Sequence, residues 1–416
     1  MFNINSIILM NNEKKRKIFL IGYKRKDKKM NFIMISPHFP PNFEPFAERL
    51  YKSGVNTLAI ADVPYEALSD NLKSNLTEYY RVDDMEDYSQ VYRAVAYFAH
   101  KYGRIDRIES HNEYWLSLDA RLRTDFNVFG LKYNAIPRIR EKSVQKAHFK
   151  KIGAPVAQGF PAKGERTIRK TAKKLGLPII AKPNDGVGAS DTWKIFTPSQ
   201  LETFIEEHDP ECEYILEQFI TGNIETYDGL TDQDGKVVFE SSFIYDRPAL
   251  EILIDGKGMH YDVPRKLPKD VVKMGRKIVE NYDLKERFFH FEFFRLEDGS
   301  IMPLEINCRP GGGMSIDMIN YANDIDLFEE YKNIVLENKF KASTSRPYYV
   351  SFISRRFNIN YTHSIEEALN RYGDDIVKHA VNEPLFREGM GDYYFIIRTA
   401  DKKRFDEIID YLTSEN

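Results

Sequence analysis

From Met30 onward, short apolar runs alternate with amphipathic stretches. NFIMIS (31–36), NTLAIAD (56–62) and RIDRIES (104–110) have the length and apolar density of strands. FEPFAERLYKSG (43–54), YSQVYRAVAYFAHKYG (88–103) and EYWLSLDARLRTDF (113–126) repeat their apolar residues at helical spacing. This strand and helix alternation predicts a parallel sheet covered by helices, closing near Gly130. A second unit opens with a helix from about Ser143 to Ile152, with Gly153 at its C-terminus. The helix TIRKTAKKLG (167–176) then leads into the strand PIIAK (178–182). Thr197-Pro198-Ser199-Gln200 reads as a capping box that starts a further helix. Two Asp-Gly pairs, Asp234-Gly235 and Asp298-Gly299, each separate strand-like runs and predict hairpins. After Gly311-Gly312-Gly313 come two helical stretches, and residues 346–416 read as strand, helix, strand, strand, helix. The expected organisation is therefore a leader over 1–29, a parallel-sheet unit over 30–133, a central unit over 134–345 and a small α+β unit over 346–416. The fold class is mixed α/β and α+β.

The hairpin FFHFEFFRLEDGSIMPLEINCRP (288–310) allows a register to be worked out. If Asp298-Gly299 form a two-residue loop, Glu297 pairs with Ser300, Glu292 lies opposite Glu305, and His290 lies opposite Asn307. Alternation puts Glu305, Asn307 and Arg309 on one face and Leu304, Ile306 and Cys308 on the other. Two directly opposed carboxylates, with Cβ atoms about 4.5–5.5 Å apart, repel one another unless a cation or a proton lies between them. Oxygen donors of this kind, with the Asn307 amide beside them, suit Mg²⁺ or Mn²⁺ better than zinc. The alternative is a surface hairpin whose acids pair with Arg295 and Arg309.

Lys182 ends the strand PIIAK and precedes a loop holding Gly186, Gly188 and Ser190, a pattern that fits backbone N–H groups folding over phosphate oxygens. GxxxxGK[ST] is absent, so this is not a Walker A loop. Lys142, at the start of its helix, could reach the same phosphates. Glu217, the backbone of Gln218, Phe219 and Ile220, and Glu225 fall on a strand and its following loop, where they could bond an adenine and a ribose; edge-strand packing accounts for them equally well. Arg309 before Pro310 and the glycines Gly311 and Gly312 sets a guanidinium beside open backbone, suited to a carboxylate or acyl phosphate. Arg265 is a weaker phosphate contact of the same kind, and a solvated arginine explains it as well.

Composition narrows the function classes. The chain has 416 residues, 42% hydrophobic and 30% charged, enough to bury cores in two to four units. No run reaches the roughly 18 uncharged apolar residues that a membrane span needs, so no membrane partner is expected. Residues 1–29 carry a net charge of +7 and the remainder a net of -10. An acidic body argues against nucleic acid as partner. The leader reads as a solvated tail, with a nucleic-acid arm or targeting tag as the alternative, and Met30, directly before a strand, is a candidate for the true start. Two cysteines, Cys212 and Cys308, fit a reducing, cytoplasmic setting.

In this order, Lys142, Lys182 with its glycine loop, Glu217-Gln218-Phe219-Ile220, and Glu292 with Glu305-Ile306-Asn307-Cys308-Arg309 resemble the ATP-grasp superfamily of carboxylate-amine ligases. The resemblance covers nearly all of 30–416. It implies an N-terminal Rossmann-like domain, ATP held between two α+β subdomains, and a C-terminal piece lining the site. It implies that Lys142 and Lys182 bind ATP phosphates under the 186–190 loop, that Glu217 to Ile220 clamp adenine with Glu225 near the ribose, and that Glu292, Glu305 and Asn307 hold Mg²⁺. Arg309, Gly311 and Gly312 are implied to hold the substrate carboxylate, with Arg309 and Lys182 in catalytic roles. RPGGG in place of the biotin carboxylase continuation points to the amino-acid and dipeptide ligases. The implied substrates are a small carboxylate and an amine, joined through an acyl phosphate. A non-catalytic nucleotide-binding module and a kinase that stops at phosphorylation stay open, as does a homodimer.

Overall fold

The computed structural model describes residues 29–186, 191–247 and 256–416. Near the N-terminus β1 (Asn31–Ile35) lies between β2 (Asn56–Ala61) and β4 (Arg107–Glu109), and β3 (Glu78–Arg81) flanks β2, with all pairings parallel. Helices cover both faces, so β1 is buried at every position and reads as a continuous apolar run. The strand β3 was not foreseen from the sequence, because its residues lie half-exposed at the sheet edge and carry no apolar run.

Two further sheets face each other across a cleft. The smaller contains β5 (Gly159–Ala162), β6 (Ile179–Pro183), β7 (Trp193–Ile195) and β8 (Tyr214–Gln218) in the antiparallel order β5-β8-β6-β7. The helices Glu165–Leu175 and Pro198–Glu207 pack on it, the latter started by the expected capping box between Thr197 and Gln200. The larger sheet has nine strands among the described residues: β9 (Asn223–Thr231), β10 (Val237–Ser241), β11 (Ile244–Tyr245), β12 (His260–Val263), β13 (Phe288–Arg295), β14 (Ile301–Asn307), β15 (Tyr349–Arg355), β16 (Ile376–Val381) and β17 (Tyr393–Thr399). Their order is β14-β13-β9-β11-β12-β15-β17-β16, with β10 also on β9. The strands of 346–416 thus continue the sheet of the preceding segment through β12 and β15. A helix, Pro384–Met390, stands between β16 and β17 where the sequence predicted a direct strand-to-strand passage; its seven residues are too few to show a period.

The decisive hairpin, β13 to β14, reaches the expected pairing by an unexpected route. Its turn is a three-residue loop, not a two-residue one: Leu296 N–H bonds Ser300 O at 2.9 Å, and Gly299 adopts φ +80°. Glu297 therefore does not pair with Ser300, and β14 starts one residue out of the predicted register. A β-bulge between the Glu292–Glu305 and Phe293–Pro303 pairs inserts Leu304 and restores the register, so Glu292 faces Glu305 and His290 faces Asn307. Leu304 consequently leaves the apolar face, where Phe289, Phe291, Phe293, Ile306 and Cys308 form a buried cluster without it. Asp234-Gly235 makes a three-residue loop of the same kind.

The N-terminal sheet is fastened to this hairpin by charge and by aromatic packing. Glu109, at the end of β4, accepts from Arg123 at 2.7 Å and from Arg287, just before β13, at 3.0 Å, and all three side chains are buried. Arg107 and Glu286 form a second pair alongside. Phe46 from the N-terminal unit packs edge-on against Phe288, Phe328 and Tyr331. Burial pushes the Glu109 carboxyl up, but the guanidinium groups of Arg123 and Arg287 outweigh it and hold the carboxyl at about 2. Glu109→Gln leaves two buried cations without their shared anion and is expected to cost about 3–5 kcal/mol in urea unfolding at pH 7. Because the folded value is depressed, this contribution is complete above the ordinary carboxylate range and is lost as pH falls toward about 2. The gap between wild type and variant should therefore narrow below about pH 4. A gap under about 1 kcal/mol at pH 7, or one that stays constant down to pH 2, contradicts this role.

Candidate active site

The polar face of the larger sheet gathers residues from three neighbouring strands. Asp228 on β9 faces His290 on β13, and Glu292 faces Glu305 across the hairpin. His290 bridges two acids, with Nδ1 2.7 Å from Asp228 Oδ1 and Nε2 3.3 Å from Glu292 Oε1. Burial alone lowers the His290 imidazole, but the charge and hydrogen bond of Asp228, with Glu292 behind, hold it up at about 9. Burial raises the Glu292 carboxyl, while the His290 bond and the charges of Arg309 and Lys182 bring it below the usual carboxylate range. Glu292 is held charged by the cations around it.

Those cations come from the opposite wall. The helix Lys142–Lys151 is pinned at its start to the end of β6, where Lys142 N–H and Ser143 N–H both bond Asn184 at 2.9 Å. Lys142 Nζ then reaches Glu305 Oε1 at 3.3 Å and Gly186 O at 3.1 Å. One turn on, Lys146 lies on the same helix face and meets Glu217 Oε1 at 3.1 Å, while Lys182 meets Glu217 Oε2 at 3.2 Å. Burial lowers the Lys182 ammonium, but Glu217 and then Glu305 more than compensate and raise it. Burial likewise raises Glu217, and Lys182 and Lys146 outweigh that and lower it. The Gln145 side chain ties the helix to β14, accepting from Ile306 N–H at 3.3 Å.

Arg309 follows β14 and lies 3.4 Å from Glu113 Oε2, with its own N–H donating to Pro310 O at 2.7 Å. Glu113 sits beyond the C-terminal end of β4, where parallel sheets place ligands. Burial raises its carboxyl, and Arg309 only partly offsets this. At Gly311 a Cβ would come within 3.0 Å of Ser315 and 3.2 Å of His290 Nδ1, so a side chain there would crowd the cluster. Gly312 is open on every side. Arg309, Gly311 and Gly312 line a cavity of about 520 Å³ that extends toward Phe39 and Phe386. A second cavity, of about 480 Å³, is lined by Arg138, Lys132 and Arg287, but each of these is spent on a backbone carbonyl or on Glu109. That cavity reads as a junction where lysine and arginine cap helix ends.

The structure brings Lys142, Lys182, Gly186, Glu217, Glu292, Glu305, Asn307 and Arg309 around one cleft. Gly188 and Ser190 lie outside the described residues. The adenine segment is differently committed than expected: Gln218 N–H bonds Gln158 O and Phe219 N–H bonds Pro178 O, leaving Ile220 N–H without a backbone partner among the described residues. Glu225 is turned away, because it pairs with Phe293 and so falls on the opposite face of β9 from Glu292, where Arg295 binds both its oxygens at 3.0 and 2.7 Å. Arg265 is exposed and donates to Arg346 O at 3.0 Å beside Tyr349. Three participants were not singled out from the sequence: Lys146, Asp228 and Glu113. The first could have been found four residues after Lys142, and the third by its place after the last parallel strand. Asp228 becomes visible only once β9 is known to flank β13.

For a divalent cation, Glu292, Glu305 and Asn307 offer hard oxygen donors on one face, and both carboxylates retain partial exposure. No group of three His, Cys, Asp or Glu side chains with metal-site geometry occurs among the described residues. The donor set fits an ion that takes its remaining ligands from phosphate and water. No helix among the described residues is long and apolar enough to cross a membrane.

Residues 175–317 match the model of the ATP-grasp domain. The chain is 25% identical over 263 residues to the L-arginine-specific L-amino acid ligase of Bacillus subtilis, covering 61% of this chain and 63% of the relative. It spans less than two thirds of the length of the curated relatives it matches. Among solved structures, an L-amino acid ligase from Bacillus licheniformis superposes with a TM-score of 0.69 at 15% identity, over 92% of this chain and 97% of the other. N5-carboxyaminoimidazole synthetase from Staphylococcus aureus, complexed with ADP, superposes with a TM-score of 0.68 at 14% identity, over 91% and 96%. Residues 175–317 thus match the ATP-grasp domain, and the fold is shared along nine tenths of the chain with that L-amino acid ligase.

Proposed function

We propose that the protein is an ATP-dependent ligase that activates a small carboxylate as an acyl phosphate and joins it to an amine, releasing ADP and phosphate. The observation that carries this is the cleft itself, in which Lys142 and Lys182 on one wall face Glu292 and Glu305 on the other, with Arg309 at the inner end. Lys142 and Lys182 bind the phosphate oxygens of the nucleotide, each leaving or sharing the carboxylate it now holds. Glu292, Glu305 and Asn307 hold a divalent cation of the Mg²⁺ or Mn²⁺ type, which when bound screens the charge of the polyphosphate. Arg309, steadied by Glu113, with Gly311 and Gly312, places the substrate carboxylate in line with the terminal phosphoryl group.

A carboxylate oxygen attacks that phosphorus and the bond to ADP breaks. The amine then attacks the acyl carbon, phosphate leaves and the amine proton is released. The protein's part is positioning and charge screening, and exclusion of water protects the acyl phosphate from hydrolysis. Similarity to amino-acid ligases supports an amino acid as the activated carboxylate.

The test is a pairwise screen of amino acids and other small amines with Mg-ATP, read by phosphate release and by mass spectrometry of the product. Phosphate release that requires both a carboxylate and an amine, with an amide as product, is expected. ADP formed without an amine and without an amide would mark a kinase, and nucleotide binding without turnover would mark a regulatory module; either removes the ligase reading. In the active protein, Glu305→Ala should lower turnover by about 100- to 1,000-fold while unfolding stays cooperative, since the hairpin loses a repulsion together with a donor. Unchanged turnover takes Glu305 out of the site. Lys182→Ala should weaken nucleotide binding at least about tenfold by calorimetry, and equal affinity contradicts its phosphate role.

A further inference from the structure

We infer that the cavity beside Arg309 selects an amino acid with a large apolar, above all aromatic, side chain, and that Phe386 and Phe39 are the residues that set this specificity. The inference rests on the ligase reading for the polar end of the substrate, which Arg309 and Glu113 hold. The cavity, of about 520 Å³, has room beyond that end for a large side chain. Its outer walls are Phe39, Met314, Phe386, Met390 and Tyr394.

Phe39 and Phe386 stack at 5.8 Å with an interplanar angle of 16°, and neither packs on any other aromatic ring among the described residues. Both are half-buried, so each retains free surface for a ligand ring. The segment that carries Phe386 is clipped in place. Asn382 Nδ2 donates to Met390 O at 3.2 Å and Gly391 O at 2.9 Å, and Arg356 donates to Arg387 O and Glu388 O. At the other side Met390 lies against Gly313, which adopts φ +58°.

The charges on the lining, Glu383 at the mouth apart, are already committed. Lys378 is paired with Asp317 at 2.8 Å, and Arg309 with Glu113. An anionic substrate side chain would enter without a counter-charge, which is costly, whereas an apolar one loses nothing. Glu383, exposed at the mouth, is the one lining carboxylate without a hydrogen-bond or ion-pair partner among the described residues, so a guanidinium-bearing side chain is the competitor.

The full-length protein is assayed for phosphate release with L-phenylalanine, L-alanine and L-arginine as carboxylates, each with the same amine acceptor taken from the pairwise screen. Separately, binding of L-phenylalanine is measured by calorimetry in the presence of Mg-ADP. The expected result is a higher kcat/KM for L-phenylalanine than for the other two. Phe386→Ala should lower the ratio of kcat/KM for L-phenylalanine to that for L-alanine at least about tenfold, mainly through KM, and weaken L-phenylalanine binding by a similar factor. Phe386→Leu, which keeps an apolar wall, should recover part of both. Preference for L-arginine that Glu383→Gln removes, or a Phe386→Ala effect equal for all three amino acids, overturns the inference. If no amino acid releases phosphate, the ligase reading fails, and calorimetry still decides the cavity: L-phenylalanine binding weakened by Phe386→Ala upholds it, and no binding overturns it.

Discussion

Two carboxylates held side by side on a largely buried face dominate the electrostatics of this protein. Glu292 and Glu305 are opposed by strand pairing, so neither can retreat without breaking the hairpin. Their mutual repulsion is met by cations that other elements bring to them: His290 from the same strand, Lys142 and Lys182 from the facing wall, and Arg309 from the end of β14. Lys182 and His290, raised chiefly by Glu217 and by Asp228, are held up further by Glu305 and Glu292 respectively. In the proposed function, the cleft exchanges these internal ion pairs for a polyanion with its own cation.

The scaffold supports this in two ways. The apolar side of the hairpin is sealed by Phe289, Phe291, Phe293 and Ile306, which fixes the polar side by alternation. The helix Lys142–Lys151 is anchored at both walls, to Asn184 by its first N–H groups and to Ile306 through Gln145, so its lysines stand at a set distance from both sheets. Buried ion pairs at Glu109 then lock the N-terminal sheet, with Glu113 at its strand ends, against the start of β13.

Much of this was legible in the sequence, but not always for the stated reason. The Glu292–Glu305 pairing was deduced from a two-residue turn, whereas the chain makes a three-residue turn and then inserts Leu304 as a bulge; two departures cancel. Local turn propensity cannot reveal a bulge, because Leu304 looks like any strand residue. Lys182 and Arg309 were visible because unusual residue types flank a strand end or a glycine run. Glu225 misled, since its face depends on pairing with β13 and Arg295, seventy residues away. The wall made by Phe39 and Phe386 was invisible for the same reason: those rings meet only after the last strands join the central sheet.

The central claim is that the opposed acids serve a cation and nucleotide together. Calorimetric titration of ADP into the full-length protein, with and without Mg²⁺, tests it most directly. Binding at least about tenfold tighter with Mg²⁺ is expected. Equal affinity in the two titrations, or no ADP binding in either, would contradict it.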